Sequence, residues 1–368
     1  MRLTLFLDHA CNLACSYCYN GEKFTRTMSR ETAFRAVDLV LSMPMPLMQV
    51  GFFGGEPMMR FSLMREVTEH LESKTLGRDP RVKLVLTTNG TLLSGESLAW
   101  MKDHYFHLGI SCDGVAAAQN VCRPYRGGRG SHGDVAAGIT RAMKAGLPVK
   151  TVSVVDPANV DLLPDSFDYL MGLGVRHLSF NLNYEGDWND ANRERFKRAL
   201  EEFGRRYIRW YERGTAFRVN LLDSKIVTHV KGGYADTDRC DFGCLELAVS
   251  PSGKLYPCDR LIGEDNRDEV VIGDVWNGVD PVRRDALIAS KNRVLEECRD
   301  CELVHRCMHW CGCVNHAMTG SVGEVSGLLC WFEQALIEEA DRTAEHLFAR
   351  RNPAFIKRFY KFALPTCE

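Results

Sequence analysis

A chain of 368 residues with a formal net charge of -2 and 26% charged residues is long enough for a full-size domain and a smaller one. It has no basic excess of the kind that marks nucleic-acid or anionic-membrane partners. No stretch approaches the roughly 18 uninterrupted apolar residues of a membrane span, and the apolar run after Arg2 has a strand's length, not a signal peptide's, so a soluble cytoplasmic protein is expected. The fifteen cysteines crowd at the N-terminus and between Cys240 and Cys330. That distribution and the odd count suit metal ligation in a reducing setting better than a secreted disulfide framework.

The first predicted strand, residues 3–7, runs into the loop CNLACSYCYN. At this spacing Cys11, Cys15 and Cys18 can wrap one loop around an iron-sulfur cube and ligate three of its four irons. The fourth iron stays open to bind and reduce a ligand. Zinc would ask for a fourth cysteine. Further β-rich runs at residues 49–53, 82–88, 107–112, 148–154 and 176–182 alternate with amphipathic segments at 29–41, 61–76, 94–102, 131–145, 162–173 and 189–212. Six β/α units in series imply a parallel sheet with right-handed crossovers and a site at the carboxyl ends of its strands.

The strand ends carry the polar residues. After the second strand come Gly54, Gly55, Glu56 and Pro57: glycines let backbone approach a ligand, a carboxylate accepts hydrogen bonds from an ammonium, and proline stops the strand. The third ends in Thr87, Thr88, Asn89 and Gly90, and the fourth in Ser111, Cys112, Asp113 and Gly114. Polar groups at successive strand ends suit a nucleoside that also bears a carboxylate. Cys112 and Cys122 read as buried or incidental thiols.

Residues 215–238 read as a bridging segment, 239–335 as a cysteine-rich module with little regular patterning, and 336–368 as the rest of a C-terminal helix, predicted to begin near 331, with a basic, solvated tail. The module runs Cys240, Cys244, Cys258, then Cys298, Cys301, Cys307, Cys311, and Cys330. Few core residues are available there, so bound metal is expected to fold it. Eight cysteines are enough for two fully ligated four-iron four-sulfur clusters. CxxC also serves zinc, which keeps a zinc ribbon open at this point.

The cysteine loop, GGEP, TNG and SxDG together resemble the radical SAM family. The resemblance implies a partial (β/α)6 barrel of the radical SAM type over residues 1–214. It implies a [4Fe-4S] cluster on Cys11, Cys15 and Cys18 whose open iron is chelated by S-adenosylmethionine. It also implies Tyr17 against the adenine and Gly54, Gly55 and Glu56 at the methionine amine. Thr88, Asn89, Ser111 and Asp113 would be further cofactor contacts, and Arg123 would lie at the carboxylate unless it is an ordinary loop arginine. The later block CxxCxxxxxCxxxC with its flanking cysteines resembles the SPASM extension. By that family's interleaved pattern, Cys240, Cys244, Cys258 and Cys311 would hold one auxiliary cluster and Cys298, Cys301, Cys307 and Cys330 the other, three [4Fe-4S] clusters in all. Cys313 competes with Cys311. Asp259, in YPCD, matches the proposed general base of the sulfatase-maturing branch; the alternative is a turn cap.

The activity so implied begins when a donor such as flavodoxin or ferredoxin delivers an electron. S-adenosylmethionine is then cleaved to methionine and a 5'-deoxyadenosyl radical, which abstracts hydrogen from an unactivated carbon of a ribosomally made peptide and leads to a crosslink, an oxidation or an epimerisation. Alternatives are an anaerobic sulfatase-type maturase oxidising Cys or Ser to formylglycine, a dehydrogenase of a small alcohol, and a non-catalytic iron-sulfur or zinc scaffold. Asp259 favours the sulfatase branch. Against it stand Phe53, where that branch has Gln, and Asn20, where it has Tyr. No separate peptide-recognition domain is seen before the first strand, so a leader peptide is expected to dock on the barrel, on the SPASM module or on another protein.

Overall fold

In a computed structural model, residues 1–43, 45–77, 79–293 and 295–360 are described; the end of the predicted basic tail lies outside them. Strands form where buried and open positions alternate. In β2 (Leu47–Phe53), Met48, Val50 and Phe52 face inward, the period of two that a pleated strand imposes. Helices form where apolar residues recur at helical spacing. In α1 (Arg30–Leu41), Ala33, Ala36, Val37 and Val40 make one buried stripe, and the Ser29 side chain caps the first turn by accepting from Thr32 N at 3.0 Å.

The chain divides into two compact units. One is Met1–Cys112, Arg123–Lys150 and Cys240–Lys291; the other is Asp113–Cys122, Thr151–Arg239 and Asn292–Glu368. The first contains β1 (Arg2–Phe6), β2, β3 (Arg81–Thr88) and β4 (His107–Ser111), with α1, α2 (Phe61–Thr75), α3 (Gly95–Asp103) and α5 (His132–Lys144). β1 to β4 pair in parallel in chain order. β8 (Glu246–Val249) pairs in parallel on the other side of β1, Arg2 opposite Glu246 and Leu5 opposite Val249, and β9 (Leu255–Tyr256) pairs antiparallel on β8. The cysteine-rich module thus contributes two strands that its composition hides, because each is shorter than the stretch a periodicity needs.

The second unit begins with α4 (Ala116–Cys122). Most of β5 (Val149–Val155) belongs to it, pairing in parallel with β6 (His177–Leu182), which pairs in parallel with β7 (Arg218–Val219). Its helices are α6 (Leu163–Gly172), α7 (Asp190–Glu212), α8 (Asn220–Lys231), then α10 (Glu296–Arg299), α11 (Gly312–Thr319), α12 (Gly327–Ala349) and α13 (Pro353–Phe359); α9 (Pro281–Lys291) belongs to the first unit. Phe167, Phe180, Phe203 and Phe217 interlock in the core at ring separations of 4.6 to 6.5 Å. The segment read as a bridge carries β7 and α8. Asp223 and Lys225 are buried in α8, and charge on the inner face erases the apolar stripe by which a helix is recognised. No helix among the described residues is long and apolar enough to cross a membrane.

Candidate active site

In the first unit, the GGEP and TNG strand ends gather around the loop after β1. Asp8 anchors that loop. Its buried carboxylate accepts from Ala10 N at 2.9 Å, Thr27 Oγ1 at 2.6 Å and Arg60 Nε at 2.5 Å. Burial opposes its charge, yet these donors together hold its carboxyl below the usual range. The Gly54–Glu56 backbone then runs against the loop, Gly55 N donating to the Asp8 carbonyl at 2.7 Å and Glu56 N to the Ala10 carbonyl at 2.9 Å. A Cβ on Gly55 would lie 2.1 Å from the Ala10 oxygen. The glycine is therefore required by the cysteine loop itself.

Glu56 is 1% exposed. Its Oε1 accepts from Met58 N at 2.9 Å and Thr88 Oγ1 at 2.7 Å, and its Oε2 from Asn89 N at 2.7 Å. Burial raises its pKa against the pull of those donors. The carboxylate thus fastens the end of β3 to the end of β2. Asn89 carries the link onward: its Nδ2 donates to Asn12 Oδ1 at 2.8 Å and lies 3.9 Å from Cys11 Sγ, towards which Leu13 N also points at 3.4 Å. Burial pushes the Cys11 thiol up to about 11. Two N–H groups aimed at the sulfur, beside Cys15 and Cys18, suit a thiolate whose charge a bound iron compensates.

The remaining expected cofactor residues divide. Tyr17 lies beneath the Arg123 guanidinium, 5.1 Å from ring centre to carbon; Arg123 is buried, and its carbonyl accepts from Ser131 Oγ at 2.6 Å. Ser111 ends β4 in the same unit. Asp113 belongs to the other unit, where its Oδ1 accepts from Val154 N at 2.9 Å and its own N donates to Gln119 Oε1 at 2.8 Å.

The β8–β9 hairpin presents Cys258 and Asp259. Tyr19, the residue after Cys18, donates its phenol hydrogen to Asp259 Oδ2 at 3.3 Å, and the Cys258 thiol lies 3.6 Å from Asp259 Oδ1. The Tyr19 ring lies 4.8 Å from the Arg260 guanidinium and stacks with the Phe53 ring at 6.2 Å. Burial, then the nearby Asp259 carboxylate, holds the phenol well above its ordinary pKa. Glu246 joins the group: its carboxylate, Cys258 Sγ and Asp259 offer ligand atoms within 4.8 Å of one another, and Cys240 Sγ is 3.6 Å from Glu246 Oε2. Arg2 balances that charge at 2.7 Å. Sequence reasoning passed over Tyr19 and Glu246. An aromatic directly after the last cysteine was a signal for the first; for the second there was none. Asn20 turns inward and donates to the Gly54 carbonyl at 3.2 Å.

In the second unit Cys298, Cys301, Cys307 and Cys330 line one cavity of about 320 Å³. Cys330 arrives on the first turn of α12, which starts earlier than expected because Ser326 caps it, accepting from Leu328 N at 3.2 Å. Burial raises the Cys298, Cys307 and Cys330 thiols, and neighbouring cysteines add to it. Four sulfurs lining one cavity form a donor set that fits a metal cluster. Cys311 also lies in this unit, 3.6 Å from Cys313 Sγ to Sγ, whereas Cys240, Cys244 and Cys258 lie in the first.

Residues 7–170 match the family model described as the Radical SAM superfamily, a superfamily of enzymes. Such domains use S-adenosylmethionine with a [4Fe-4S] cluster. The serine-type anaerobic sulfatase-maturating enzyme of Klebsiella aerogenes is 27% identical over 273 residues, covering 70% of this chain and 66% of that protein. The PqqA peptide cyclase of Gluconobacter oxydans is 26% identical over 337 residues, covering 87% and 88%. Among solved structures, native anSMEcpe with bound AdoMet and Cp18Cys peptide superposes with a TM-score of 0.79 at 19% identity, covering 94% of this chain and 98% of that one. That likeness establishes the α/β fold with its parallel strands.

Proposed function

We propose that this protein is a radical SAM maturase that modifies a ribosomally made peptide at an unactivated carbon, with Asp259 as the base that takes a proton from the substrate. The observation that carries the reading is the contact between Tyr19 and Asp259 at 3.3 Å, which sets a carboxylate against the end of the cysteine loop within one unit. Relatives whose names specify peptide or protein substrates support it over most of the chain's length. S-adenosylmethionine on the open iron supplies a radical able to abstract hydrogen from carbon. The chain supplies the rest: Cys11, Cys15 and Cys18 hold iron, the Glu56 fastening keeps their loop in place, Tyr17 and Arg123 offer a flat aromatic face and a cation for nucleoside and carboxylate, and Asp259 accepts the proton. Eight of the later cysteines, Cys240, Cys244, Cys258, Cys298, Cys301, Cys307, Cys311 and Cys330, hold two further [4Fe-4S] clusters, and a flavodoxin or ferredoxin delivers electrons.

The test follows deuterium from a peptide labelled at the reacting carbon into 5'-deoxyadenosine, the peptides being those encoded beside the gene. Asp259→Asn is expected to keep deuterium transfer while product falls by roughly 10² to 10⁴, the range for a lost general base. Normal product formation in that variant would make Asp259 a turn residue only. A second reading, the sulfatase-type maturase, is favoured by Asp259 and opposed by Phe53 and Asn20. It predicts an aldehyde on a Cys- or Ser-containing sulfatase peptide, readable by mass, and its absence there with product on the neighbouring peptide decides for the first.

A further inference from the structure

Behind the four-cysteine cavity of the second unit lies an ion pair that the proposed chemistry does not use. Lys225 of α8 and Glu333 of α12 meet at 2.5 Å, with both side chains 3% exposed. Glu333 lines the cavity, and its Oε2 also accepts from Met308 N at 2.6 Å, one residue beyond Cys307. Lys225 Nζ donates to the Arg306 carbonyl at 3.3 Å, one residue before Cys307. The Arg306 side chain is itself clamped by Asp341 through two bonds, 2.7 and 2.5 Å. A buried pair of charges is a poor device for stability, since apolar residues of the same shape often do as well. Here each charge grips one flank of the same cysteine.

We propose that Lys225 and Glu333 are positioning residues for the second auxiliary cluster: they fix the Cys307 loop, and the Lys225 ammonium offsets the Glu333 carboxylate that would otherwise add its charge to the thiolates at that cavity. The inference rests on the reading of Cys298, Cys301, Cys307 and Cys330 as a cluster site. It makes α8 part of the cofactor-holding machinery. A cation beside a cluster stabilises its more reduced, more negative state, so losing the cation lowers the midpoint potential.

The experiment uses full-length protein with Cys11, Cys15 and Cys18 replaced by Ala, so that only auxiliary iron is present, reconstituted anaerobically. Iron and sulfide per chain, release of iron to a chelator, and the midpoint potential from an EPR-monitored titration are read. Lys225→Arg should resemble the parent. Lys225→Met leaves Glu333 unpaired and is expected to lose about half of the auxiliary iron, one four-iron cluster of two by the cysteine count, or to hold it at a more negative potential. Because that variant can also misfold, Lys225→Met with Glu333→Leu removes both charges. It should keep the parent's circular dichroism and melting transition while releasing iron several-fold faster. A double variant with parental iron, release rate and potential overturns the proposal. Should the parent itself hold zinc and little sulfide, the cluster reading fails first, and the two failures are distinct.

Discussion

At the scale of single residues, Glu56 shows how a binding motif does structural duty. A carboxylate in GGEP invites assignment to the ammonium of a ligand, and its burial fits that role. Three of its acceptor positions are already filled by Met58 N, Thr88 Oγ1 and Asn89 N, leaving one of roughly four for a ligand. Glutamine at 56 replaces one acceptor oxygen with an amino group that faces a donor whichever way it turns. Glu56→Gln is therefore expected to lower stability by about 1 to 3 kcal/mol, the cost of an unsatisfied buried donor. It should also weaken S-adenosylmethionine binding by about one to two powers of ten, as for one lost charge-assisted bond of roughly 1.5 to 3 kcal/mol. Calorimetric titration with the reconstituted protein and a denaturant midpoint read the two effects separately. A lowered midpoint with an unchanged dissociation constant would confine Glu56 to the fastening.

Among elements, the six β/α units were legible because each strand and helix is long enough to show its period, and the observed ends fall within about two residues of the expected ones, the ordinary scatter of boundaries. The motifs were legible because they sit where such strands end. What stayed hidden was short or charged inside: β8 and β9, too brief for a pattern, and α8, whose buried Asp223 and Lys225 find their side-chain partners at a distance in sequence, Tyr207 and Arg358 for the first and Glu333 for the second. No reading of local periodicity sees such partners. The GGEP strand end offers a test at this scale. Because a Cβ on Gly55 meets the Ala10 oxygen at 2.1 Å and the His9 oxygen at 2.7 Å, Gly55→Ala must push the cysteine loop away from β2. Overpacking of this kind costs about 1 to 3 kcal/mol, and here the strain falls on the loop bearing Cys11. The variant is expected to load N-terminal iron poorly and auxiliary iron normally, as the iron analysis of the reconstituted protein against wild type will show. Equal loading would mean the loop yields without consequence.

For the molecule as a whole the decisive quantity is how much metal it folds around. Composition alone pointed to a module, residues 239–335, without a core of its own. The first part of the module departs from that, with Leu247, Val249, Leu255, Tyr256 and Ile262 buried. The segment from Leu295 to Ser326, by contrast, has brief regular elements: α10 has four residues, one 3-10 turn has three, and α11 has eight. Its cysteines converge on a cavity instead of an apolar cluster. When donors assemble only in the folded state, the free energy of binding metal is free energy of folding. By the cysteine arithmetic the anaerobically reconstituted chain should hold about twelve irons, four for each of three clusters. Replacing Cys11, Cys15 and Cys18 by Ala should remove about four and leave the others in place. Stripping the remaining iron from that variant with a chelator should then lower its melting transition and expose the segment around Cys298 to Cys311 to protease before the β1 to β4 region is cut, because the latter has strands and helices that pack without metal. Stoichiometric zinc with little sulfide in anaerobically purified protein would refute the cluster count. A melting transition indifferent to the chelator would refute the claim that metal folds the module, whatever the iron number proves to be.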